Sequence, residues 1–184
     1  MLNPRIFTDT KKTSGQYLHQ EILTPAKTGY VLLTLIAALI LNFAPLNTLL
    51  FTLRPDFVAL VILYWCINQP QRLGMTLAFC AGLMMDVHYA GILGHNAMVY
   101  CTVVYMASVF RRRISIFSLM KQAPQIGLIL IVMQTFQILI AMINEANFPG
   151  WHFYLPSLTG TLFWPVLSYT LSLPLRPRDD IDTL

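Results

Sequence analysis

The chain has 184 residues, of which 56% are apolar and 11% charged, with a formal net charge of +4. A soluble domain carries about 25% charged residues, so this composition cannot cover a globular surface and points to an integral membrane protein. The basic balance is then a matter of membrane sidedness and not of nucleic acid, because basic residues in a polytopic chain first set orientation.

Residues 1–27 are polar and lack the short apolar run and small-residue cleavage site of a secretory signal, so they read as a segment on one side of the membrane. A first span is expected from about Thr28 to Ala44, closed by Pro45, with Thr34 and Asn42 as its polar interruptions. Arg54-Pro55-Asp56 then opens a second span reaching about Asn68, with proline at the first helical position and a carboxylate in the first turn. Gln69-Pro70-Gln71-Arg72 is a turn, and a third short span runs from about Leu73 to Asp86. A glycine-punctuated connector, His88 to Gly94, leads into a fourth span, His95 to Phe110, which Arg111-Arg112-Arg113 is expected to stop. Residues 114–121 are assigned to the membrane interface, and a fifth span covers about Ala123 to Asn147. Trp151-His152-Phe153-Tyr154 is an aromatic group of the headgroup region, and a sixth span follows from about Pro156 to Leu173. The resulting plan is one membrane domain over 28–173 between an N-terminal segment, 1–27, and a tail, 174–184.

Six spans place 11 of the 12 basic residues on one side and only Arg54 on the other, which puts both termini in the cytoplasm. Removing spans two and three together, as a hairpin, would preserve that count, so a four-span chain stays open. The three cysteines, Cys66, Cys80 and Cys101, lie in apolar runs and form neither a disulfide framework nor a zinc spacing.

Polar residues inside spans carry the remaining information. Gly74, Ala78 and Gly82 recur every four residues, forming a small-residue stripe where another helix can approach closely. Asp86 continues that stripe. It reads as a helix-end tie to backbone donors of the connector, with a partner-binding role as the alternative, and asparagine should replace a tie of that kind. His88, His95, Asn96 and His152 share one level, but none of their spacings matches a zinc site, so hydrogen-bonded interfacial histidines are expected in place of a metal. Gln134 and Gln137 on span five, with Asn144 and Glu145 further along, must face the protein interior. They read first as interhelical hydrogen bonds and second, together with His95, as a polar pocket for a solute. Glu145 is expected to pair with Arg54, and Pro165 to bend span six by freeing the carbonyl of Thr161. No nucleophile elbow or phosphate-binding glycine loop occurs, so no catalytic residue and no cofactor is assigned.

The order Arg-Pro-Asp-Phe, Tyr64-Trp65, Gln-Pro-Gln-Arg, Ala81-Gly82-Leu83-Met84-Met85-Asp86-Val87 and Gly91-Ile92-Leu93-Gly94-His95-Asn96 resembles the bacterial rod shape-determining MreD family. The resemblance implies an all-α bundle of six transmembrane helices, similar to the substrate-binding components of energy-coupling-factor transporters. It also implies a non-enzymatic scaffold in the inner membrane that serves lateral wall synthesis with MreC, MreB, RodA and a penicillin-binding transpeptidase as partners. Pro55, Asp56, Gly82, Asp86 and Gly94 are the matched motif positions, in a structural or partner-binding role. A small-solute binding or transport subunit is the alternative from another functional class.

Overall fold

The computed structural model describes residues 26–45, 47, 52–89, 92–143 and 150–175. Among them are six α-helices: α1 (Thr28–Phe43), α2 (Phe57–Asn68), α3 (Met75–Tyr89), α4 (His95–Ser115), α5 (Leu119–Ile143) and α6 (Leu155–Ser172). Short 3-10 turns at Trp151–Tyr154 and Leu173–Leu175 flank α6. No strand occurs among the described residues.

Each expected span has a helix, with displaced ends. Helix α4 does not stop at the arginine triplet but continues through it to Ser115. Arginine is a good helix former, so the triplet changes the polarity of the chain without ending its hydrogen-bond ladder. Helix α5 begins at Leu119 and so takes in part of the segment assigned to the interface, with Pro124 inside its second turn. Helix α3 extends past Asp86 to Tyr89. Pro55 lies outside α2, whose N-cap is Asp56, so the carboxylate stands at the cap and not in the first turn. Among the described residues one helical segment, Met120–Ile143, is by itself long and apolar enough to cross a membrane, while α1 and α2 are shorter apolar helices.

Helix α4 is the hub, packed against α3, α2 and α5, while α1 lies against α2 and α6 against α5. Helix α2 is buried all round: every residue from Val58 to Ile67 is inside. At 12 residues it is only about 18 Å long, yet it forms the axis of the bundle. In α1 the buried positions are Val31, Leu35, Ala38, Leu39 and Asn42, one face at helical spacing. Helix α6 buries Ser157, Gly160, Trp164, Ser168 and Ser172, a stripe of small residues interrupted by one tryptophan.

The outside of the bundle is apolar. Leu33 (63% exposed), Val87 (71%), Leu128 (64%) and Leu162 (77%) point outward, while Asn42, Asp86, Gln134, Ser157 and Ser168 are buried. This inverts the arrangement expected in water. It is the arrangement of a helix bundle in lipid, where apolar contact drives no association and small residues and hydrogen bonds hold helices together.

Close approaches occur at glycines. A Cβ on Gly82 would run into the backbone of Ala97, with the carbonyl carbon of Asn96 at 2.8 Å, so α3 and α4 touch main chain to main chain there. Gly127 meets the side chain of Thr161, and Gly160 meets Leu130 at 2.8 Å, which closes α5 on α6. Ala78 is fully buried on the expected stripe. Gly74 is not part of it: it precedes α3, is exposed, and has nothing within 4 Å of a Cβ position, because the stripe leaves the helix before reaching it.

Candidate functional site

The two ends of the bundle differ in charge. Arg72 Nη1 donates to Thr28 Oγ1 at 3.1 Å and Arg111 Nε to the carbonyl of Ile67 at 2.9 Å, which ties the start of α1 and the ends of α2 and α4 at a basic end. The opposite, acidic end holds Asp56, Asp86 and, among the described residues, Arg54 as its one arginine or lysine.

Asp56 caps α2 and joins three helices. Its Oδ1 accepts from the backbone N–H of Ala59 at 3.1 Å and from Asn42 Nδ2 at 2.8 Å, and its Oδ2 accepts from the Tyr100 hydroxyl at 2.8 Å. Asn42 Oδ1 in turn accepts from the backbone N–H of Phe57 at 3.2 Å. The start of α2 has orphan N–H groups and the positive end of the helix dipole, so a carboxylate at that place satisfies both. Asp86, only 2% exposed, serves α4 from outside that helix. Its Oδ2 accepts from the backbone N–H of Gly94 and its Oδ1 from that of Asn96, both at 2.8 Å. Gly94 is the α4 N-cap with φ of 95°, the left-handed conformation in which a side chain is costly.

Arg54 donates to the carbonyl of Ala44 at 3.1 Å and to the Tyr89 hydroxyl at 2.8 Å. Its expected partner Glu145, like Asn144 and Gly91, lies outside the described residues.

Between these groups is a cavity of about 180 Å³. Asn42, Arg54 and Asp56 line one part, Asn96, Gln134, Gln137 and Ser157 another, and Met85, Leu130, Met133 and Phe153 supply apolar wall. Ser157 Oγ donates to Gln134 Oε1, and Gln137 Nε2 donates to Asn96 Oδ1 at 3.4 Å. Each span-five glutamine thus makes an interhelical bond, as first read, and both also border the cavity. His95 does not. It begins α4 half-exposed, and the cavity is reached by its neighbour Asn96, one helical position and about 100° further round. His88 stacks on Phe43, ring centroids 4.1 Å apart.

Sequence reasoning missed Tyr100 as the third partner of Asp56, Ser157 as the partner of Gln134, and the α5–α6 glycines. A signal existed for the last: Ser157, Gly160, Ser168 and Ser172 recur at helical spacing in span six. Tyr100 carried none, since one tyrosine in an apolar run is ordinary.

Residues 26–172, from two residues before α1 to the last residue of α6, match the family of the rod shape-determining protein MreD. A rod shape-determining protein MreD of Haemophilus influenzae is 25% identical over 130 residues, covering 71% of this chain and 80% of that relative. No solved structure matches the chain.

Proposed function

The chain belongs to the MreD family, and we propose from that premise that it is a non-enzymatic scaffold of the bacterial inner membrane, keeping cells rod-shaped by holding MreC and other proteins of lateral wall synthesis. One observation carries this reading: the family match spans all six helices, so the bundle itself is the unit that acts. Two features agree with a scaffold. The outward faces of the helices around α2 are rich in exposed apolar residues and offer lateral surface to other membrane proteins. The buried polar groups at the acidic end are mostly engaged in capping helices and joining them, which is work of construction.

The same reading takes all six helices as crossings, with 28–173 as one domain similar in plan to the substrate-binding components of energy-coupling-factor transporters. Segments 1–27 and 174–184 are then cytoplasmic. The alternation of basic and acidic ends supports it, because Arg72, Arg111, Arg112, Arg113 and Lys121 fall at the ends of α2 and α4 and the starts of α3 and α5, as the positive-inside rule asks of a cytoplasmic face. The short α2 is compatible with a crossing since protein, not lipid, surrounds it. Pro55, Asp56, Gly82, Asp86 and Gly94 are assigned to building the acidic end, with MreB, RodA and a penicillin-binding transpeptidase as further partners of the assembly.

The test is co-expression of the tagged full chain with MreC. The scaffold reading expects MreC to be retained in near-equal amount through detergent purification. A folded chain that retains no MreC yet restores rod shape to a deficient strain would overturn it. Cysteine labelling at positions 14, 88 and 151 tests the crossings, and labelling of position 14 from outside would overturn the orientation.

A further inference from the structure

We propose that the cavity at the acidic end binds a small uncharged solute carrying a carboxamide, a role that goes beyond the scaffold reading and does not depend on it. The inference begins from which polar atoms around the cavity are already used. Both oxygens of Asp56 are occupied by three donors, and Arg54 is engaged with Ala44 and Tyr89. Their charges are opposite and already engaged, so a ligand bringing a full charge would meet no uncompensated partner.

Three groups are left over. The amide nitrogen of Gln134 donates to no described residue, although that side chain is only 7% exposed. Asn96 uses its oxygen to accept from Gln137, which leaves the Asn96 amide nitrogen and the Gln137 amide oxygen without partners among the described residues. A donor and an acceptor on two hydrogen-bonded carboxamides form the complement of a third amide: its carbonyl accepts from Asn96 Nδ2 while its N–H donates to Gln137 Oε1. The nitrogen of Gln134 supplies a second donor to the same carbonyl. Polar groups left open to a cavity in this way favour a ligand that satisfies them over one that does not.

Size and wall character define the rest of the ligand. About 180 Å³ is room for roughly six waters at about 30 Å³ each, more than the carboxamide tip of a side chain requires. Met85, Leu130, Met133 and Phe153 offer apolar surface for a compact body behind the amide. A free molecule with an amide on a small flat or branched apolar body fits both.

Nicotinamide serves as the probe, and nicotinate, the same ring with a carboxylate in place of the amide, as its control. The full chain in detergent is titrated with each while its melting temperature is followed. Nicotinamide should give a saturable rise of about 3 to 6 °C at roughly ten times its half-saturating concentration. Nicotinate should bind about tenfold more weakly or not at all. Gln137→Leu, which removes the acceptor at nearly constant volume, should abolish the response. Absence of a saturable rise with nicotinamide, an equal response to nicotinate, or an undiminished response in Gln137→Leu would each overturn the proposal. The comparison of the two probes on the unaltered chain needs no variant and decides the matter even where the leucine form does not fold.

Discussion

The acidic and basic ends of the bundle do the same job with opposite chemistry. Helices α2 and α4 run in the same direction, so between them they bring two sets of orphan N–H groups to the acidic end, where α6 also starts, and two sets of orphan carbonyls to the basic end. Carboxylates Asp56 and Asp86 answer the first, and Arg111, on the carbonyl of Ile67, answers one of the second. The dipole favours each sign where it stands. Tolerance is where the ends differ. Asp86 is buried and fixed by two backbone partners beside a main-chain contact at Gly82, whereas Arg72 and Arg112 are exposed and Arg111 half-exposed. Substitutions at the acidic end should therefore be felt much more strongly than those at the basic end.

The largest effect is expected from Gly82→Ala. Its new methyl group would meet the backbone of Ala97 and Asn96, which cannot rotate aside as a side chain can. Helices α3 and α4 must separate, at about 3 kcal/mol or more, and Asp86 would be drawn from its partners. Membrane-inserted protein measured by blotting should fall sharply. Normal accumulation with intact rod shape would show that the acidic end yields as readily as the basic one.

Asp86 comes next, where the structure sharpens what the sequence offered. Replacement by leucine strands two buried backbone donors at about 1–3 kcal/mol each. Asparagine, expected from sequence to suffice, has one acceptor for two donors and would turn its own N–H toward the second. The expected order of melting temperature is wild type, then Asp86→Asn, then Asp86→Leu. An asparagine form as stable as wild type but unable to support rod shape would mean that the charge itself is used.

Much of this end could be read before the structure. The alternation of short apolar runs with turn residues located all six helices, because backbone polar groups in an apolar run have few options besides a helix. Asp86 was legible as a tie because the glycine-rich connector placed donors nearby. What sequence could not supply was which apolar helix lies inside. Helices α1 and α2 are both strongly apolar, yet α2 is enclosed and α1 shows one face outward. In lipid both faces can be apolar, so the periodicity that reveals the core of a soluble protein is missing. The same loss hid the cavity, whose walls come from residues as distant in sequence as Asn42 and Ser157, and it misled the placement of His95, where one residue of helical phase separates wall from surface.

Gly94→Ala should have a moderate effect. At φ of 95° an alanine is strained by about 1–2 kcal/mol, but no atom lies within 4 Å of the new Cβ, so the change strains the cap without displacing a neighbour. Melting should fall by about 2 to 8 °C, with rod shape retained at moderate temperature. A loss matching Gly82→Ala would place the constraint in the connector and not in the helix contact.

The smallest effect is expected at the basic end, from Arg111→Ala. The lost bond reaches the carbonyl of Ile67 at 2.9 Å, and that carbonyl belongs to the last turn of α2, where water or a lipid headgroup can replace the guanidinium. A partly exposed, charge-assisted contact of this kind is worth about 1 kcal/mol or less once solvent competes for both partners. Orientation should survive as well. Arg112, Arg113 and Lys121 remain beside the vacated position, and the sidedness rule depends on the summed excess of basic residues, not on one of them. Melting should drop by no more than about 4 °C, and Arg111→Lys should recover part of that, since an ammonium can still donate to the carbonyl though without the fixed direction of Nε. A fall as deep as that of Asp86→Leu would break the contrast between the ends, and would mean that the start of α4 and its finish are held with equal stringency.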